Sequence, residues 1–179
     1  MTRPVPHALL PFLLTLILAS CATAGPRAAE PERGETTAVV VVRHAERAED
    51  GTADPPLSAA GVERAQRLAR SLSAAGVATA LTTQYRRTRQ TAEALNVPVE
   101  VRPVTGANQG SYAREIAAEI TARYAGRTVV VVGHSNTVPE LVAALGGGSI
   151  PPMAEDEYGR MYLLLIDPSG TRVFAAAMP

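Results

Sequence analysis

Two runs of four consecutive valines, at 39–42 and 129–132, constrain the fold of this chain more than any other feature. A strand with one solvated face alternates apolar and polar residues, whereas a strand covered on both faces is a continuous β-branched run. Such strands belong to parallel sheets that carry helices on both sides. The two runs therefore predict two central strands of an α/β fold.

The segments around these runs alternate between strand and helix patterns. Predicted strands cover 38–42, 78–81, 97–101 and 128–132, and predicted helices cover 58–75, 86–95, 112–124 and 139–145. Two further strands, at 161–166 and 173–177, flank a turn at 167–170. The predicted fold class is α/β, with three layers, a mostly parallel sheet, helices on both faces and a C-terminal β-hairpin.

The N-terminal segment has a different character. Residues 8–19 form an apolar stretch that is too short to span a bilayer and suits the core of a signal peptide. It ends in Leu-Ala-Ser-Cys at 18–21, which resembles the lipobox of bacterial lipoproteins. The alternative is an ordinary secretory signal in which Cys21 is incidental.

This resemblance implies a domain plan and a location. We expect a signal peptide at 1–20, a lipidated Cys21 with a flexible tether at 21–37, and one domain at 38–179. The Pro, Gly, Ala and charged residues between Ala22 and Thr37 are typical of a linker. Because no Asp follows Cys21, the lipoprotein resemblance implies an outer-membrane anchor on the periplasmic side of the bacterial cell envelope.

Composition excludes several classes of function. Seventeen basic residues, all of them arginine, balance seventeen acidic ones. A chain without net charge lacks the positive field that nucleic-acid binding requires, so we expect no nucleic-acid partner. The single cysteine excludes an intrachain disulfide and a thiolate metal cluster. We expect a monomer whose only membrane contact is the lipid anchor.

The two histidines that would remain after signal cleavage have matching surroundings. His44 follows the first valine run after Arg43, and His134 follows the second after Gly133. Ligands of open α/β sheets bind at the carboxyl ends of the strands. Arg43 at a strand end is suited to bidentate capture of a phosphate or carboxylate. These positions predict an anion site at one edge of the sheet.

A second arginine cluster opens the helix after the strand at 78–81. Arg86, Arg87 and Arg89 fall within four positions, so at most one or two of them can point into the same crevice. A helix N-terminus at this edge also favours anions.

Four motifs, in this order, resemble the histidine phosphatase superfamily, also called phosphoglycerate mutase-like. They are Arg-His-Ala-Glu at 43–46, Pro-Leu-Ser-Ala-Ala-Gly at 56–61, Arg-Thr-Arg-Gln-Thr-Ala at 87–92 and Gly-His-Ser-Asn at 133–136. The short spacers are similar to those of the small, uncapped, phosphohistidine-phosphatase type. The resemblance implies a phosphatase that acts on a small phosphorylated substrate and needs no metal or other cofactor.

The resemblance also implies roles for individual residues. His44 would accept the phosphoryl group, and Arg43, Arg87 and His134 would hold its oxygens. Ser135 and Asn136, in the second histidine motif, are candidate substrate-binding residues.

The chain departs from the family pattern at two points. Ala45 replaces the usual glycine, which is tolerable if that position does not need a positive φ. No carboxylate aligns with the proton donor of the larger members. Glu46 is the carboxylate nearest to His44 in sequence and is the candidate proton donor, with a supporting role outside the reaction as its default interpretation.

Two alternative functions stay open at this level. The first is a phosphate- or anion-binding lipoprotein with negligible turnover. The second, a cofactor-free mutase, is disfavoured because the phosphosugar mutases of this family are longer and cytoplasmic. The leading hypothesis is a cell-envelope phosphatase that hydrolyses phosphomonoesters or related phosphoryl compounds through a phosphohistidine intermediate.

Overall fold

The computed structural model describes Met1 and residues 36–179. Its strands are β1 Thr37–Arg43, β2 Val77–Thr82, β3 Val99–Val101, β4 Thr128–Gly133, β5 Arg160–Asp167 and β6 Gly170–Ala177. Its helices are α1 Ala59–Leu72, α2 Arg86–Glu93, α3 Tyr112–Arg123 and α4 Thr137–Val142, which continues into a π-helical turn at Ala143–Gly147. The expected signal peptide, the expected lipidation site at Cys21 and the expected tether up to residue 35 lie outside the described residues.

The six strands form one sheet in the order β3-β2-β4-β1-β5-β6. The first four are mutually parallel, β5 runs antiparallel to β1, and β6 pairs antiparallel with β5. The prediction of a mostly parallel α/β sheet with a C-terminal hairpin is therefore confirmed. No helix within the described residues is long and apolar enough to cross a membrane.

The two valine runs are direct neighbours in this sheet. Val39 pairs with Val129 and Val42 pairs with Val132, in register throughout. The register continues past the strand ends, where the His44 amide donates to the Gly133 carbonyl at 2.9 Å. Pairing of the two runs is what brings both histidines to the same edge.

The side chains of each valine run pack alternately into two separate hydrophobic cores, one on each face of the sheet, which explains why the runs contain no polar residue. Val39, Val41 and their β4 neighbours pack on one side of the sheet with apolar residues of α3 and α4, including Ile120 and Leu141. Val40, Val42 and their β4 neighbours pack on the other side with residues of α1 and α2: Leu68 and Ala92. The sheet is thus covered on both faces, as predicted.

Helix α1 shows why its N-terminal motif contains serine and glycine. The Ser58 hydroxyl accepts from the Gly61 amide at 3.1 Å, which satisfies one of the free donors of the first turn. A Cβ atom at Gly61 would lie 2.1 Å from the Glu46 carbonyl oxygen. The glycine therefore lets the helix approach the loop that follows His44.

Helix α4 differs from its predicted bounds. It begins at Thr137 rather than Pro139, so the proline lies in the first turn, where its missing amide leaves no hydrogen bond unmade. The helix ends in the π-helical turn, where Gly146 adopts a φ of +84°. Helix α1 ends at Leu72, three residues before the predicted end at 75.

Candidate active site

A pocket of about 460 Å³ opens at the carboxyl ends of the central strands. Its walls come from the segments that follow β1, β2, β3 and β4, together with the loop before β5. The lining residues are Arg43, His44, Arg47, Tyr85, Arg87, Val104, Thr105, Gly106, Gln109, His134, Ser135, Asn136, Thr137 and Glu155. Of the sequence-predicted site residues within the described range, six line this pocket and Glu46 does not.

His44 is a neutral imidazole in a fixed tautomer. Its Nδ1 lies 2.8 Å from the Ala45 carbonyl oxygen, which can only accept, so Nδ1 carries the proton. Its Nε2 lies 3.2 Å from the Arg87 Nε–H and accepts from it. Burial, together with the nearby charges of His134, Arg87 and Arg43, lowers the pKa of His44 to about 3. The lone pair is therefore on Nε2.

The backbone at Ala45 holds that tautomer in place. The Ala45 amide donates to the Thr91 hydroxyl at 3.1 Å, and the Ala45 side chain is fully buried. The φ angle of Ala45 is not positive, in contrast to that of Asn96, a non-glycine residue with a φ of +54°. Alanine in place of the glycine of the resembled motif is thus compatible with this backbone.

His134 is held by hydroxyl groups that follow β2. Its Nε2 hydrogen-bonds the Thr83 hydroxyl at 2.9 Å, and that hydroxyl lies 2.8 Å from the Thr88 hydroxyl. The Tyr85 ring meets the imidazole edge-on. Burial lowers the pKa of His134 to about 4, with help from Arg87 and other positive charge nearby. The two imidazole centroids are 5.4 Å apart.

Of the three arginines on α2, only Arg87 faces the pocket. Its guanidinium lies over the Tyr85 ring at 4.6 Å and 3.7 Å from an Asp54 carboxylate oxygen. Arg86 and Arg89 are exposed on another side of the helix. One of the three arginines therefore lines the pocket, within the limit of one or two that their spacing allows.

Arg43 is bound mainly to the loop before β5. Its Nη1 donates to the carbonyl oxygens of Ala154 at 2.6 Å and Glu157 at 3.1 Å. Its Nη2 donates to the Glu155 carbonyl at 2.8 Å and to the Glu155 carboxylate at 3.2 Å. Its Nε–H is buried without a hydrogen-bond partner in the part of the chain that the structure describes. This remaining donor is the one that an oxyanion in the pocket could satisfy.

Glu46 lies apart from the pocket. Its carboxylate accepts from Arg64 at 2.6 Å, 2.8 Å and 3.0 Å, which ties the loop after β1 to helix α1. Burial raises the pKa of Glu46, but the Arg64 hydrogen bonds outweigh it, and the net pKa is below the usual range. A supporting role agrees with this geometry better than proton donation does.

Several site residues were missed in the sequence. Thr83 and Tyr85 follow β2 at the predicted edge, so strand position alone could have identified them. Tyr158, whose ring stacks on Arg43 at 4.4 Å and lies 5.8 Å from the His44 ring, sits in a loop with no periodic signal. Glu155 sits in the same loop. No group of three or more metal-ligating side chains occurs among the residues that the structure describes.

Residues 39–108 match the histidine phosphatase superfamily, branch 1. The matched residues run from within β1 to beyond β3. The match includes His44 and Arg87, and pairing of the valine runs adds His134 from outside it. No curated protein sequence matches the chain significantly.

Several solved structures share the fold of this chain. The protein histidine phosphatase SixA, complexed with tungstate, is 23% identical with a TM-score of 0.63, and the match covers 78% of this chain and 96% of that one. Mycobacterial glucosyl-3-phosphoglycerate phosphatase is 18% identical with a TM-score of 0.58, covering 80% and 98%. Phosphoserine phosphatase of Entamoeba histolytica is 11% identical with a TM-score of 0.62, covering 80% and 97%. These likenesses show that the chain has the same fold as these proteins.

Proposed function

We propose that this chain is a lipid-anchored phosphatase of the bacterial cell envelope that hydrolyses phosphomonoesters or related phosphoryl compounds through a phosphohistidine on His44. The observation that carries the proposal is the tautomer of His44. A buried imidazole with its proton fixed on Nδ1 and its lone pair on Nε2, facing an arginine in a pocket, is an activated nucleophile.

In the first step, the Nε2 lone pair attacks phosphorus as the bond from phosphorus to the leaving group breaks. The bonding pair departs with the leaving group, and the new phosphoimidazolium keeps its proton on Nδ1. The Ala45 carbonyl, 2.8 Å from Nδ1, then accepts from a positively charged donor, which strengthens that hydrogen bond.

The three equatorial oxygens need positive charge and fixed donors, which supply most of the catalysis in phosphoryl transfer. Arg87 supplies a guanidinium beside Nε2, and the buried Nε–H of Arg43 supplies a second donor. His134 completes the cradle from β4. In the second step, water attacks phosphorus and the bond to Nε2 breaks, with its electron pair returning to Nε2. The product leaves as dihydrogen phosphate, which carries the oxygen and both protons of the water and loses a proton to solvent according to the pH.

The leaving group limits the substrates. General acid catalysis contributes about 10²–10⁴-fold where a donor is positioned. Glu46 is held by Arg64 outside the pocket. We therefore expect aryl phosphates, acyl phosphates and phosphoramidates to be hydrolysed much faster than alkyl or sugar phosphates. Glu46→Gln should keep that selectivity. If the hydrolysis rate of the wild-type protein instead depended only weakly on leaving-group pKa, and that of Glu46→Gln depended on it steeply, Glu46 would be the proton donor.

The direct test is phosphate release from an aryl phosphate by the purified protein. Activity should disappear in His44→Ala and survive in Arg89→Ala, whose side chain is exposed away from the pocket. Phosphate binding without turnover in the wild-type protein would instead favour the alternative, a phosphate-binding lipoprotein.

The envelope location has its own test. Lipidation of Cys21 predicts incorporation of labelled palmitate and partition into detergent, both lost in Cys21→Ser. A single acyl chain binds membranes only marginally, so the several chains of a bacterial lipoprotein are needed for a stable anchor. Release of unmodified wild-type protein into the periplasm would contradict the lipid anchor and would leave the phosphatase proposal unaffected.

A further inference from the structure

The loop before β5 places a carboxylate inside a pocket that is otherwise built for anions. Glu155 is the one acidic residue among the described residues that line the pocket. Its Oε1 accepts from the Ser135 hydroxyl at 2.8 Å, and its Oε2 lies 3.2 Å from Arg43 Nη2. The phosphatase steps above make no use of it.

The backbone under this carboxylate is held in place, while the carboxylate itself is exposed. Arg43 binds the carbonyl oxygens of Ala154, Glu155 and Glu157, so the loop cannot easily withdraw from the site. The Glu155 side chain itself is 83% exposed. The Ser135 hydrogen bond, followed by Arg43 and Arg47, holds the pKa of Glu155 below its usual range. The group is therefore a negative charge on the pocket wall.

A bound phosphoryl dianion changes the charges that this carboxylate faces. The dianion would neutralise the positive charges of Arg43 and Arg87. Arg47, which also lines the pocket, would then be the remaining guanidinium near Glu155. A second anionic group on the substrate would be repelled by Glu155. An ammonium or similar cation would form an ion pair with it.

We propose that Glu155 is a specificity-determining residue that favours phosphoryl compounds with a cationic group beside the phosphoryl group and disfavours those with a further anion. This inference rests on the proposed phosphatase function. Because the carboxylate is exposed, the expected discrimination is that of a surface ion pair, about two- to fivefold for each charge.

Three aryl phosphates with similar leaving groups isolate the effect of charge. They are tyramine phosphate, which carries an ammonium group, para-ethylphenyl phosphate, which is neutral in its side chain, and the phosphate ester of para-hydroxyphenylpropionic acid, which carries a carboxylate. In the wild-type protein, kcat/KM should fall in that order. In Glu155→Gln, the ratio of the first to the third should shrink, with the neutral ester little changed.

Asp156→Asn is the matched control. It removes the same charge from the next residue of the loop, whose exposed side chain does not line the pocket, and it should leave all three kcat/KM values unchanged. Equal substrate ratios in the wild-type protein and Glu155→Gln would overturn the proposal. So would a loss of kcat/KM in Glu155→Gln that is equal on all three esters, because the side chain would then serve catalysis rather than discriminate by charge.

Inorganic phosphate separates this inference from the proposed function, because its binding requires no turnover. Calorimetry should give a Kd for phosphate about two- to fivefold lower in Glu155→Gln than in the wild-type protein, since a repelling charge is removed. An unchanged or higher Kd would overturn the role of Glu155. If the Kd shifts as expected but the wild-type protein shows no turnover, the phosphatase proposal is overturned and the role of Glu155 in anion discrimination stands.

Discussion

Acidification should destabilise this protein well before its carboxylates titrate. His44 and His134 have pKa values of about 3 and about 4 in the native structure, against 6.5 for an ordinary histidine, chiefly because burial penalises the charged form. Between pH 6.5 and pH 4 the unfolded chain therefore binds two protons that the native structure does not. Stability from both groups is complete above pH 6.5 and is lost as the pH falls.

The size of this loss follows from linkage. At pH 5.5, protonation stabilises each unfolded histidine by about 1.4 kcal/mol, whereas the same histidine with a native pKa of 3 to 4 stays unprotonated and gains almost nothing. The two histidines together therefore lower the free energy of unfolding by about 3 kcal/mol relative to pH 8. The acidic residues with lowered pKa values, such as Glu46 and Glu119, have an ordinary value of 4.5 and contribute mainly below that pH. The interval from pH 8 to pH 5.5 thus isolates the histidines.

Urea unfolding followed by circular dichroism, without phosphate, measures the free energy of unfolding at both pH values. Each single variant, His44→Gln and His134→Gln, should halve the difference, and the double variant should nearly remove it. A wild-type protein equally stable at pH 8 and pH 5.5 would refute the neutral, buried histidines. A pH effect that survives in the double variant would refute their assignment as its source.

The remaining predictions concern packing, charge and metal independence. Gly61→Ala should lower the free energy of unfolding by about 1–3 kcal/mol, although alanine favours helix more than glycine does, because the new Cβ would lie 2.1 Å from a carbonyl oxygen. Gly110→Ala is the control: its Cβ would have nothing within 4 Å, so thermal unfolding should show no change in stability. Arg87→Ala should lower kcat/KM for an aryl phosphate by about 10²–10³-fold, and Arg86→Ala should not. Chelators should leave the rate unchanged, and a loss restored by a divalent metal would contradict the nucleophilic histidine.

The part of this site that could be predicted from sequence is the part that the sheet positions. The two valine runs fix two strands, their pairing in register follows from burial on both faces, and His44 and His134 then share an edge. Arg87 was predicted through its motif, and its orientation relative to Arg86 and Arg89 follows from helix geometry.

The rest depends on contacts between distant parts of the chain. Arg43 binds carbonyl groups more than 100 positions away, in a loop of Gly, Pro and acidic residues that has no periodicity. The same loop supplies Glu155 and Tyr158. The tautomer of His44 depends on which acceptor lies near Nδ1, and the residue types alone do not determine that distance.

The measurement that tests the account most directly is a search for phosphate on His44 itself. The protein is mixed with an aryl phosphate, quenched without acid within the first turnovers, and digested at alkaline pH for mass spectrometry. We expect an acid-labile, base-stable phosphate on His44, and neither adduct nor phosphate release in His44→Ala. Phosphate on another residue, or undiminished phosphate release by His44→Ala, would contradict it.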